Sequence, residues 1–265
     1  MPVPILPPFP GPQLLLLSLP LLVVSEHKSR FHGGVVLFKM LSSASFLIGP
    51  VTILSRSAST EWSPYTLAIT IGLVFSLIGD FFLLPSRSEF ATPDSAHGSD
   101  VPVSFQAGVV AFAAAHIAYI IAFLEITKEL HYSTLATTFT ATLLLAKWLG
   151  VIYPPPHSSP RSNILGLTIP AEMKPLVLIY AVIISTMFAV ATSMSGTTPG
   201  VSDASGLSQR VVGAAMFVVS DVFVAANAFG SARGALNERS LLRIALGYGL
   251  YFWAQMVIAG TVERV

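Results

Sequence analysis

The chain contains no cysteine. Disulfide frameworks, thiolate metal sites and a cysteine nucleophile are therefore excluded. Charge is also scarce: charged residues make up 10% of the 265 positions, against 53% hydrophobic. Soluble domains carry about a quarter charged residues, so a soluble globular fold is a poor fit. No excess of one sign exists either. With 14 Lys and Arg against 13 Asp and Glu, the net charge is +1. That is too small a field to hold nucleic acid. No lysine or arginine precedes the first apolar run, and no small-x-small pattern precedes Glu26. That run thus lacks the marks of a cleaved signal.

Long apolar runs are what the chain has in quantity. A membrane span needs ~20 mostly apolar residues. Runs near 33–54, 65–84, 103–124, 133–152, 175–194, 211–229 and 241–262 meet this length. A shorter run, Leu14–Val24, is interrupted by Pro20 and follows a head holding Pro2, Pro4, Pro7, Pro8, Pro10 and Pro12. The expected fold is all-α: one polytopic transmembrane helix bundle of about eight spans. Residues 1–32 form the proline-rich head and short first span, and 33–262 the bundle. Polar, breaker-rich loops are expected over Ser86–Asp100, His157–Lys174 and Ser195–Gln209. Lysine and arginine in the loops after odd-numbered spans outnumber those on the other side eight to four. The positive-inside rule then places both termini on the non-cytoplasmic side.

Of the 13 acidic residues, only Asp80 and Asp221 fall well inside spans. A carboxylate in hydrocarbon costs several kcal/mol by most scales, so such groups face the bundle interior and mark function. The two contexts are alike. Gly72 stands eight residues before Asp80, and Gly213 eight before Asp221; a small residue (Gly79, Ser220) precedes each, and Phe follows two later. Eight residues back lies on nearly the same helix face, so each aspartate belongs to a stripe where a neighbouring helix can approach. Asp221 follows Asp80 by 141 positions, and Tyr180 follows Lys39 by 141. This spacing hints at two four-helix halves. Lys39 and His116 also lie inside spans, Tyr119 follows His116 by three, and Tyr251 and Gln255 share a face at i, i+4. Tyrosines in spans also serve as interfacial anchors, and a buried histidine or glutamine can simply bond a neighbouring helix.

Five strings occur in order: Ser-Leu-Ile-Gly-Asp80; Phe112-Ala-Ala-Ala-His116-Ile-Ala-Tyr119; Tyr180 with Met187; Gly213-Ala-Ala-Met-Phe217-Val-Val-Ser-Asp221; and Tyr251-Phe-Trp-Ala-Gln255. Together they resemble the lysoplasmalogenase (YhhN-like) family of multi-span membrane hydrolases, over roughly residues 33–262. The family often has Lys-Pro in its second span, where this chain has Lys39-Met40. The resemblance implies cleavage of the vinyl ether bond of lysoplasmalogens to a fatty aldehyde and a glycerophospho-base. Such a bond breaks when its β carbon is protonated and the resulting oxocarbenium-like cation is trapped by water, a division of labour like that of glycosidase carboxyl groups. Asp80 and Asp221 are the expected catalytic pair. One donates the proton; the other stays ionised and stabilises the cation. Which is which is open. Lys39 or His116 is expected to hold one carboxylate ionised. Tyr119, Tyr180, Ser220, Tyr251 and Gln255 are expected to support the substrate or orient water.

No cofactor or metal is required by this chemistry, and the histidines His27, His32, His97, His131 and His157 are scattered over loops and span edges. The expected partners are a lysophospholipid entering sideways from the bilayer and the surrounding lipids, with no nucleic acid. For a eukaryotic source the endoplasmic reticulum is the expected membrane. An intramembrane aspartyl protease also needs two buried aspartates, but its Tyr-Asp and Gly-x-Gly-Asp strings are missing here. The alternative of a different class is a proton-coupled transporter or channel, since buried Asp, Lys and His also build proton relays.

Overall fold

A computed structural model describes residues 5–29, 31–56, 62–84, 101–127, 129–153, 163–194, 204–230 and 240–264. The loop expected over 86–100 lies outside the described residues, as do His97, His157 and parts of the other two loops. Among the described residues the chain is helical: α1 (Gly11–Val24), α2 (His32–Arg56), α3 (Pro64–Phe82), α4 (Val103–Glu125), α5 (Tyr132–Leu149), α6 (Lys174–Ser193), α7 (Ala204–Phe229) and α8 (Leu241–Ala259). A π-helical turn, Ser25–Ser29, follows α1, and a 3₁₀ turn, Gly260–Arg264, ends α8.

Six of these helices are long and apolar enough to cross a membrane: α2, α3, α4, α6, α7 from Gln209, and α8 with its terminal turn. The chain is thus a multi-pass membrane protein. Two of the eight expected spans do not meet that measure. α1 has 14 residues, about 21 Å of helix against a hydrocarbon core of ~30 Å. α5 has 18 residues and no buried one. Its apolar character is diluted by Thr134, Thr137, Thr138, Thr140 and Thr142.

The six spanning helices close a ring. α2 packs on α3, α3 on α4, α4 on α6, α6 on α7, α7 on α8, and α8 back on α2. α1 lies outside, against α2 and α8, and α5 lies outside, against α6. The packing order repeats with α1–α4 matched to α5–α8, as two four-helix halves would give. Small residues set the close approaches. A Cβ at Gly72 would run into the Tyr119 ring, and one at Gly79 would sit 2.8 Å from Phe112. Ser18 and Ser42 hydroxyls meet at 2.8 Å where α1 crosses α2.

The head before α1 runs on along α2. Pro20 does not break α1, which runs unbroken through it. Before α1 the chain is non-helical, and Pro7 lies against Gly49 of α2. Backbone groups inside a bundle need partners. The Gln209 side chain supplies them: its Oε1 accepts from Ile5 N–H at 3.1 Å, and its Nε2 donates to Ile5 C=O at 2.7 Å and to Val257 C=O at 2.9 Å. At the other end of the ring, the stretch before α6 folds back on α7. Asn163 brackets Leu167, accepting from its N–H and donating to its C=O at 2.9 Å each. Leu167, Ile169 and Met173 then pack with Phe229, Ala225 and Phe105.

Candidate active site

Helices that alternate direction bring the C-terminal parts of α3 and α7 beside the N-terminal parts of α2 and α6 and the middle of α8. Lys39, Asp80 and Tyr251 meet in one group and Tyr180 and Asp221 in a second, although 212 positions separate Lys39 from Tyr251 in sequence. Asp80 is buried, with 2% exposure. Its Oδ2 accepts hydrogen bonds from Ser43 Oγ and Tyr251 OH, both at 2.7 Å. Lys39 Nζ stands 3.9 Å from its Oδ1 and donates to Leu83 C=O at 3.1 Å. Tyr251 carries the network inward. Gln255 Nε2 donates to Tyr251 OH at 3.3 Å, Tyr119 OH donates to Gln255 Oε1 at 2.7 Å, and Ser76 Oγ lies 3.2 Å from Tyr119 OH.

Asp221 has different surroundings. Its Oδ2 accepts one bond, from Tyr180 OH at 2.7 Å. Among the described residues no lysine or arginine pairs with it. The two aspartates share no hydrogen-bond partner. Aromatic rings join them instead: Tyr251 lies 5.9 Å from Phe217, Phe217 5.2 Å from His116, and His116 5.6 Å from Tyr180. The carboxylates thus stand at the two ends of one aromatic cluster, inside the ring of spans.

Two residues singled out in the sequence are turned to the backbone of their own helices. His116 holds neither carboxylate. Its Nδ1 lies 2.6 Å from Phe112 C=O of its own helix, because position i−4 carbonyls are within reach of a side chain turned back along the helix. Of Lys39 and His116, Lys39 is the one beside a carboxylate, that of Asp80. Ser220 points at its own backbone, donating to Phe217 C=O at 2.8 Å.

With the geometry set out, comparison with known proteins adds one finding. The model of the YhhN family matches residues 34–262. The chain belongs to the YhhN family. No curated protein and no solved structure matches it. All five ordered strings fall inside the matched stretch, and the head and α1 fall outside it. Among the described residues of this YhhN chain, no group of three or more His, Cys, Asp or Glu could hold a metal ion.

Some site residues were not legible beforehand. Ser43, which donates to Asp80, is one turn beyond Lys39 on α2. Ser76 is one turn before Asp80 on α3. Both signals were present as i, i+4 neighbours of a charged residue, but serines are common on closely packed spans. Phe217, the ring between the two halves, looked like any core phenylalanine. Glu26, which accepts from Tyr248 OH at 2.6 Å, comes from the π-helical turn outside the family match.

Proposed function

We propose that this YhhN protein hydrolyses the vinyl ether bond of lysoplasmalogens, with Asp221 as proton donor and Asp80 as the ionised partner. The reading rests on one observation: two aspartates with unlike surroundings at opposite ends of one aromatic cluster. Asp80 accepts two hydroxyl hydrogen bonds and faces an ammonium group, all of which favour the charged carboxylate. Among the described residues Asp221 accepts one hydroxyl bond and faces no cation, which leaves its second oxygen to carry a proton. Pairs of carboxyl groups whose settings differ in this way divide acid and base roles.

The steps balance as follows. Asp221 gives its proton to the β carbon of the vinyl ether, and the electron pair of the double bond forms the new C–H bond. The ether oxygen shares the resulting positive charge. The Asp80 carboxylate stabilises that cation and takes a proton from the water that adds to the α carbon. The hemiacetal then collapses: its hydroxyl proton passes to the Asp221 carboxylate, Asp80 returns the proton taken from water to the departing glycerol oxygen, and the aldehyde and alcohol leave with both carboxyl groups in their starting states. The rings of the cluster are buried among one another, and an aromatic face, with its negative quadrupole, suits a cation formed beside it. Family membership supports the substrate class.

The test is aldehyde release from lysoplasmenylethanolamine by purified protein, beside Asp80→Asn and Asp221→Asn. Wild type is expected to release aldehyde. Asp221→Asn should fall by about 100- to 10,000-fold, the usual contribution of a positioned acid. Full activity in either variant removes that residue from the scheme. No aldehyde from folded wild type would reject hydrolysis of this substrate and make proton-coupled transport through the Lys39–Asp80 pair the next assay.

A further inference from the structure

Among the described residues, two buried side-chain nitrogens have no hydrogen-bond partner: His116 Nε2 and Arg210 Nε. Arg210 sits at the far end of the ring, with its guanidinium 5.7 Å from the centre of the Tyr65 ring. His116 lies at the centre, 1% exposed, between the two aspartate environments. Burying an unpaired polar group costs free energy, and such an atom in a folded protein calls for an explanation.

The geometry fixes which kind of partner His116 can take. Phe112 C=O, 2.6 Å from Nδ1, can only accept, so Nδ1 carries the hydrogen. Nε2 of that neutral tautomer presents a lone pair. It therefore binds a donor, and rejects ether oxygens, carbonyls and phosphate. The rings of Phe217, Tyr180 and Tyr119 close around the imidazole at 5.2, 5.6 and 6.0 Å, so a donor arrives only when one of them turns aside. Tyr180 also bonds Asp221, which places the imidazole one side chain away from the proposed acid.

We infer, taking the lipid's identity from the hydrolase reading, that His116 Nε2 accepts a hydrogen bond from the free sn-2 hydroxyl of the lysolipid, and so selects lysolipids over lipids acylated at that position. In a lysoplasmalogen the hydroxyl is the donor nearest the vinyl ether, a few bonds from the carbon that Asp221 protonates. The head-group ammonium belongs at the interface, whereas His116 lies midway along α4. A site built to bond a hydroxyl discriminates strongly against the analogue that lacks it, because its own buried group is left unpaired.

The experiment compares lysoplasmenylethanolamine with its sn-2-deoxy analogue, using wild type, His116→Asn and His116→Gln. Asn keeps a donor where Nδ1 bonds Phe112 and deletes the acceptor. Gln keeps an oxygen near the Nε2 position. Wild type should turn over the hydroxyl substrate at least about 100-fold faster than the deoxy analogue. His116→Asn should bring the two rates together, and His116→Gln should restore part of the difference. Equal rates in wild type, or a difference that survives in His116→Asn, would overturn the inference and leave the hydrolase reading intact. A binding arm removes the dependence on turnover. Thermal stabilisation is measured with saturated 1-O-alkyl lysophosphatidylethanolamine, with and without the sn-2 hydroxyl. A larger shift with the hydroxyl, lost in His116→Asn, supports the hydroxyl site even if no aldehyde is released. Equal shifts in wild type count against it.

Discussion

Removing the charge of Asp80 should destabilise the bundle, and removing Lys39 as well should restore it. The ion pair is 3.9 Å apart and almost fully buried on both sides. At that distance the attraction is about 4 kcal/mol with an effective dielectric constant of 20. Asp80→Asn keeps the size of the side chain. Its carbonyl oxygen can still accept from Ser43 and Tyr251, but its amide hydrogens then point at the Lys39 ammonium. Losing one partner of a buried pair typically costs ~3–5 kcal/mol, because the other charge stays behind. Replacing both partners by neutral groups is often neutral or stabilising. Lys39→Met with Asp80→Asn should therefore recover most of what the single variant loses. Thermal unfolding of the purified protein in detergent, followed by intrinsic fluorescence, reads this directly. At ~2–4 °C per kcal/mol for a chain of this size, the single variant should melt roughly 10 °C lower and the double variant close to wild type. Both should lack aldehyde release. An Asp80→Asn protein as stable as wild type, or a double variant no more stable than the single, would refute the view that this pair is a buried ion pair.

Two further outcomes follow from packing. Gly72→Ala puts a methyl group against the Tyr119 ring, displacing the hydroxyl that bonds Gln255; it should cost ~1–3 kcal/mol as overpacking and lower aldehyde release, and adding Tyr119→Leu should return the stability but not the activity. Gln209→Leu strips partners from Ile5 N–H, Ile5 C=O and Val257 C=O, each worth ~1–3 kcal/mol when left buried and unpaired; the melting temperature should fall while aldehyde release at permissive temperature persists, because the site lies at the other end of the ring, and an unchanged melting temperature would count against the clamp.

The spans and the chemistry-bearing residues were readable along the chain, but their grouping was not. Apolar length marks a span whatever its neighbours are, because the bilayer sets one required length. A carboxylate inside such a run stands out against a uniform background, which is why Asp80 and Asp221 were found at once. The failures have equally local causes. Ser133–Ile152 passed on length, but threonine hydroxyls dilute its apolar character, and α5 ends up outside the ring. Leu14–Val24 was expected to be interrupted by Pro20, yet α1 continues through it and the proline-rich chain before it reaches on to Gly49 and Gln209. For His116 the partner stayed open, because a histidine's choice between a neighbouring helix and its own i−4 carbonyl depends on ring orientation, which spacing does not encode.

What the sequence determined by itself is the solvent and the cost. A chain with this much apolar residue and this little charge must lie in a bilayer, and two aspartates placed there must face inward. Only the tertiary structure decided that they face unlike partners. Lys39 and Ser43 from α2 and Tyr251 from α8 converge on Asp80, while among the described residues Tyr180 from α6 alone reaches Asp221. The physical reason is that burial penalises every charge alike, whereas the partners that relieve the penalty come from other helices, and which helices become neighbours is fixed by how the six spans close into a ring.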